Sequence, residues 1–219
     1  MLYKLGIIRA ISRQIKRAEE ETLADHAAGR TQQEPDFTSR LITRIQNAVR
    51  GQTTRGISWW AYTLTDRATG SQEHRFGADF AGLLEIRLPE LTVVKGFLAQ
   101  AKLLAGRGAM GPRDLAGLRD QCERMLRLSP DSYVFLYLPN GIRIVPAVTV
   151  ASSLGDVQPT EFHSRSIRRF FEEHIECFIG DRAFAPGNRT FPDALEEVAQ
   201  RYEARRVLWL MAKIGETPG

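Results

Sequence analysis

A chain of 219 residues with 43% hydrophobic and 26% charged residues is long enough to bury a sizeable core and is expected to fold as one soluble globular domain over 1–219. Lys plus Arg exceed Asp plus Glu by 30 to 26, a surplus that favours an anionic partner without requiring one. With 2 cysteines and no apolar stretch near the ~20 residues of a bilayer span, a disulfide framework, a cysteine zinc cluster and a membrane-spanning segment are not expected, and a reducing, cytoplasmic setting is.

From the amino terminus, Ile8, Ile11, Ile15 and Ala18 recur at spacings of three and four, which predicts an amphipathic helix over residues 3–28 with Arg9, Arg13, Lys16 and Arg17 among its polar positions. Such a helix packs on its own domain or on a partner subunit; a membrane or nucleic-acid contact is the alternative. Gly29 and Pro35 break the pattern, and Leu41, Ile42, Ile45 and Val49 then predict a second helix over 37–50 with Asp36 as its N-cap. From Ile57 the period changes to two, and Trp60, Tyr62 and Leu64 alternate along a strand. Two further strands over 76–86 and 91–103, joined by the short "RLPE" turn, complete a three-strand meander. After the glycine-rich "GRGAMGPRD", Leu115, Leu118, Cys122 and Met125 share one face of a helix over 113–128.

The stretch "DSYVFLYLPNGIRIVPA" is a hairpin about Asn140-Gly141, a dipeptide that supplies positive φ at a tight turn. A helix over 164–178 with Ile167, Phe170, Phe171 and Ile175 inward follows, and a last helix spans 192–213. The organisation is an amino-terminal helix within 1–30, a core over 34–180 and a carboxy-terminal helix within 190–215, with no repeat or linker between them. The fold class is α/β, a mixed sheet flanked by helices.

The third strand carries polar groups that an apolar strand does not need. Gln100 and Lys102 lie two residues apart and share a face, with Ala101 opposite. An antiparallel second strand would bring Asp79 beside them, so that a carboxylate, an amide oxygen and an ammonium surround one point. Those are the parts of phosphodiester hydrolysis: hard oxygen ligands for Mg²⁺ or Mn²⁺, a metal-held water, and a cation to offset charge growing on the phosphate.

Asp79 followed by Gln100-Ala101-Lys102 on successive strands after a helix resembles the PD-(D/E)xK nucleases, the restriction-endonuclease-like superfamily. The stretches "GADF…KGFLAQAKL", "LRDQCERMLRLSPDSYVFLY" and "GIRIVPA" look like nuclease domains of anti-phage defence systems, over roughly residues 34–180. The resemblance implies a restriction-endonuclease-like sheet and a metal-dependent DNA endonuclease acting as the effector of a defence system. It also implies Asp79, Gln100 and the Ala101 carbonyl as metal ligands, with Lys102 at the attacking water. Gln100 stands where the family name expects an acid, which weakens the pull on the metal. Family members with glutamine here draw a further carboxylate from the preceding helix; Glu34 or Asp36 is placed for it, and Glu34 is chosen. Glu85, six strand residues from Asp79, is about 20 Å away by strand rise.

The same residues have a second reading, in which Asp79 and Lys102 form a structural ion pair and the chain is a catalytically silent member of the fold, serving nucleic-acid binding or assembly. "GRGAMG", residues 106–111, matches G-x-G-x-x-G, but Pro112 falls in the first helical turn of such a motif; a flexible loop beside the site, with Arg107 and Arg113 meeting a phosphate, is favoured. The 4 histidines lack metal spacing and there is no nucleophile elbow. Arg165, Arg168 and Arg169 with Glu172, Glu173 and Glu176 predict a solvated, salt-laced helix face. DNA affinity should fall steeply with salt, and a regulatory or sensor protein, or self-association, is expected to hold such a nuclease in check.

Overall fold

The computed structural model describes residues 2–64, 78–106, 108–186 and 192–215, with side chains from Gly6 onward. Its helices are α1 (Leu2–Ala27), α2 (Glu34–Val49), α3 (Pro112–Leu128), α4 (Ala147–Ala151), α5 (Ile167–Ile175) and α6 (Asp193–Arg201). Its strands are β1 (Thr53–Thr54), β2 (Ile57–Leu64), β3 (Phe80–Leu88), β4 (Leu91–Leu103), β5 (Ser132–Leu138), β6 (Gly141–Pro146), β7 (Arg165–Ser166) and β8 (Val207–Ile214). Among the described residues these strands form one mixed sheet in the order β1-β2-β8-β3-β4-β5-β6-β7, mostly antiparallel, with parallel pairs at β3/β8 and β4/β5.

Alternation along each strand divides two cores. On one face Ala99, Ala101, Phe135, Tyr137, Leu208 and Leu210 pack under α1, α2 and α5; on the other Leu98, Val134, Leu136 and Trp209 pack under α3, α4 and α6. The helices dock by the apolar stripes read from the sequence: Ile8, Ile11, Ile15 and Ala18 of α1, Leu41, Ile42, Ile45 and Val49 of α2, and Leu115, Leu118, Cys122 and Met125 of α3 are all buried. Around α5 part of the expected salt lacing is present, with Arg168 pairing Glu172 at 3.0 Å and both Arg169 and, from β7, Arg165 reaching Glu173 at 2.8 and 2.5 Å. Among the described residues no helix is long and apolar enough to cross a membrane, and Cys122 and Cys177 are both free thiols.

The carboxy-terminal segment corrects the expectation most. The helix expected over 192–213 ends at Arg201, and Val207–Ile214 is a strand wedged between β2 and β3, antiparallel to the first and parallel to the second. The three-strand meander is therefore broken: only β3 and β4 are adjacent. In "VLWLMAKI" apolar residues face both layers, Leu208 and Leu210 one way and Trp209 the other, so no single-faced period distinguishes a central strand from a buried helix. The helix expected over 164–178 is shorter, because Arg165–Ser166 first pairs as β7 on β6. Ser166 then caps α5, its hydroxyl taking the Arg169 N–H. The cap of α2 is Gln33, not Asp36, since Pro35 sits in the first turn, where a missing N–H costs nothing. Phe76, at the start of the expected second strand, lies outside the described residues.

His174, on α5, is wholly buried beside Phe97, Phe170 and Phe171 and donates from Nδ1 to the Ile179 carbonyl at 3.0 Å. Burial, helped by the nearby Lys95 charge, pushes its pKa down to about 3. The unfolded chain binds this proton near pH 6.5 and the native one does not, so the contribution to stability is complete above pH ~6.5 and declines as pH falls towards 3. Chemical denaturation across that window should show an acid-side slope that is reduced in His174→Gln; an unchanged slope would mean the ring is protonated in the native state.

Candidate active site

The site forms where β3 begins and β4 ends. Phe80 pairs with Ala99, so the residue before it, Asp79, lies across from Gln100. Asp79 is locked there by its own backbone, which donates N–H to the Ala99 carbonyl at 2.9 Å. Its Oδ2 accepts the Ala101 N–H at 2.8 Å and an amide proton from Gln100 Nε2, and that same nitrogen lies 3.4 Å from the Ala101 carbonyl. The Gln100 amide thus presents its donor end to Asp79; to offer oxygen to a cation it must turn over, which exchanges the two ends of the same group.

Helix α2 delivers the second carboxylate. Phe37 stacks on Tyr137 with ring centroids 4.3 Å apart, and Thr38 hydrogen-bonds the Tyr137 hydroxyl at 3.1 Å while donating to the Glu34 carbonyl at 3.0 Å. This anchoring of the first turn to β5 hangs Glu34 over the end of β4. There Oε2 accepts the Leu103 N–H at 2.8 Å and Oε1 lies 3.6 Å from Lys102 Nζ. The ion partner of Lys102 is therefore Glu34, rather than the Asp79 of the structural-pair reading. Asp36, one turn face away, is exposed, and Glu85 is held by Arg87 further along β3.

Both carboxyls sit above their ordinary range, chiefly because they are withdrawn from water. For Glu34 the neighbouring Asp79 adds to the rise, opposed by Lys102 and the Leu103 N–H. For Asp79 the Ala101 N–H opposes it, followed by the charges of Lys102, Arg205 and Arg206. Two mutually repelling acids beside a backbone carbonyl and an amide are a donor set for a hard cation. Among the described residues no three His, Cys, Asp or Glu side chains cluster to hold a metal. A cation here would rest on two carboxylates, the Gln100 amide and the Ala101 carbonyl, which suits Mg²⁺, an ion that keeps several of its waters and takes only one or two carboxylates.

Sequence reasoning missed the two arginines. Arg206 is 3% exposed, donates from Nε to Ser39 Oγ on α2 at 2.8 Å and accepts the Ala81 N–H on its carbonyl. It ties the helix carrying Glu34 to the strand edge carrying Asp79. The signal was there in "EARRV", but a segment taken for helix gave it no address near Asp79.

A cleft of about 610 Å³ opens above Lys102 and Glu34, walled on one side by α3 and on the other by Leu104, Ala105, Ala109, Met110 and Gly111. At the carboxy-terminal end of this segment the Gln158 side chain accepts the Met110 N–H at 2.8 Å and donates to the Met110 carbonyl at 3.3 Å. At Gly108, whose φ is 74°, a Cβ would press on Leu138 and Thr160. Gly111 caps α3 and Pro112 opens it, which leaves a helix start unlike that of a dinucleotide-binding turn. Arg113 lines the cleft; Arg107 lies outside the described residues. No family model, no curated protein and no solved structure matches this chain.

Proposed function

We propose that this protein is a Mg²⁺- or Mn²⁺-dependent DNA endonuclease of restriction-endonuclease-like fold, acting as the effector of an anti-phage defence system. The observation that carries the reading is the convergence of Asp79, Gln100, Lys102 and Glu34, from three separate elements, at one end of the sheet, with Lys102 and Glu34 lining an open cleft. Asp79, Glu34, the Gln100 amide and the Ala101 carbonyl would hold the metal, which supplies an activated water and neutralises phosphate charge when bound. The Lys102 ammonium, 19% exposed at its side chain, faces that point from β4 and is positioned to orient the water and to offset charge on the phosphate oxygens. Arg113 stands on the cleft wall for a neighbouring phosphate.

The test is cleavage of plasmid and linear DNA by the purified protein with Mg²⁺, Mn²⁺ or chelator. Metal-dependent nicking or linearisation supports the reading. Tight DNA binding with no cleavage under any metal supports instead a silent nuclease-fold subunit for nucleic-acid binding or assembly. A free nuclease would damage its own cell, so the reading includes gating by a sensor protein or by self-association, with the basic face of α1 (Arg9, Arg13 and Arg17 exposed) as the contact surface. A purified monomer that degrades plasmid without restraint overturns the gating.

A further inference from the structure

Gly117 has no reason within the fold to be glycine. It lies in the middle of the 17-residue α3, where glycine is the poorest helix former after proline, and a Cβ placed on it meets no atom within 4 Å. It is exposed, its backbone is helical, and the open space beside it is the cleft. Missing side chains of this kind mark places where a ligand approaches the backbone.

The rest of the cleft says what the ligand is. Arg113 and Arg124 flank Gly117 on the same side of α3, about 16 Å apart at 1.5 Å per residue, and Lys102 lies at the floor. The facing wall is apolar, with Leu104, Ala105, Ala109 and Met110. A duplex offers a cleft its phosphates and polar base edges, its base faces being stacked away; a single strand offers phosphates along one edge and bare base faces along the other. The acids Asp114 and Asp120 also line the cleft and limit the part charge plays. The tether from Gln158 to Met110 keeps the apolar wall close to α3, and Lys102 and Glu34 lie below the rim at 19% and 28% side-chain exposure, so the scissile phosphate must enter between the walls.

We infer that the cleft between α3 and the wall of Leu104, Ala105, Ala109 and Met110 seats a single DNA strand, its phosphates along Arg113 and Arg124 and its bases against that apolar wall, with Gly117 as the point of closest approach. This rests on the nuclease reading of the site for its polymer, and on the cleft's own walls for its strandedness. Binding of a labelled oligonucleotide and of the same sequence as a duplex, measured by fluorescence anisotropy in EDTA, tests it with wild type, Gly117→Ala and Gly117→Trp. The single strand should bind at least about tenfold tighter than the duplex, with a log–log salt slope of about −2 from three cationic contacts. Gly117→Trp should weaken the single strand by about tenfold or more, one displaced base being enough. Gly117→Ala should melt about 2–4 °C above wild type, which keeps the comparison free of unfolding. Equal or tighter duplex binding, absence of single-strand binding, or wild-type binding by Gly117→Trp overturns the inference. If wild type never cleaves with Mn²⁺ yet Gly117→Trp loses the strand, the cleft stands and the nuclease reading falls. If Gly117→Trp cleaves single strands at the wild-type rate, the cleft falls and the nuclease stands.

Discussion

Lys102→Ala should slow metal-dependent cleavage by on the order of a hundredfold or more, while the protein melts near wild type. The reason lies in what the ammonium does and does not touch. Its ion partner is Glu34 at 3.6 Å, and the two side chains keep 19% and 28% of their surface, so water screens the pair and its loss should cost less than about 1 kcal/mol. Glu34 also keeps its hydrogen bond from the Leu103 backbone after the lysine is gone. A role in the transition state predicts loss of turnover with DNA affinity little changed, and single-turnover rates alongside thermal melts separate this from a folding defect. A variant that melts several degrees early and cleaves no worse per folded molecule would remove Lys102 from the chemistry.

Gln100→Glu should have a large effect of a different kind. The amide is 3% exposed and donates to Asp79; a carboxylate of the same length turns that hydrogen bond into repulsion between a buried acid and the half-buried Asp79, with Glu34 adding a third. Without metal at neutral pH the variant should lose about 3 kcal/mol or more of stability, the usual scale for an uncompensated buried charge. Mn²⁺ should restore it and raise the melting temperature far more than in wild type, because the added charge tightens the site for the ion. Calorimetric titration and melts with and without Mn²⁺ read both effects. A variant that is destabilised and shows no response to Mn²⁺ would mean that no cation binds between these residues, and the nuclease reading would fail at its centre.

The candidate site was more legible than the sheet that holds it. Asp79, Gln100 and Lys102 came from features local to the chain: an acid ahead of an apolar strand and two polar residues at i and i+2 on the next, which an antiparallel pair with a short turn must bring together. Glu34 was reached only through the resemblance, since nothing in "EPDF" says where the first turn of α2 will land; the stack of Phe37 on Tyr137, a hundred residues apart in sequence, decides that. Replacing Phe37 by alanine should therefore cost about 3–5 kcal/mol and displace Glu34 as well, which a drop in Mn²⁺ affinity below the melting transition would show. Gln158, which braces the cleft wall, and Arg206, which joins α2 to β8, carried no periodic signal at all.

By itself the sequence determined the helices with one apolar stripe, the β5–β6 hairpin, though its turn falls on Pro139-Asn140 rather than the expected Asn140-Gly141, and the antiparallel pair that carries Asp79, Gln100 and Lys102, because each depends on residues within a few turns or one short loop of one another. The tertiary structure alone decided that Val207–Ile214 is a strand, that it parts β2 from β3, and that Arg206 arrives beside Asp79. A segment apolar on both faces has no preferred partner until two strand edges are offered to it. Its backbone hydrogen bonds are then satisfied by the sheet rather than by itself, a choice made by pairing energy between elements remote in the chain and not by any local pattern.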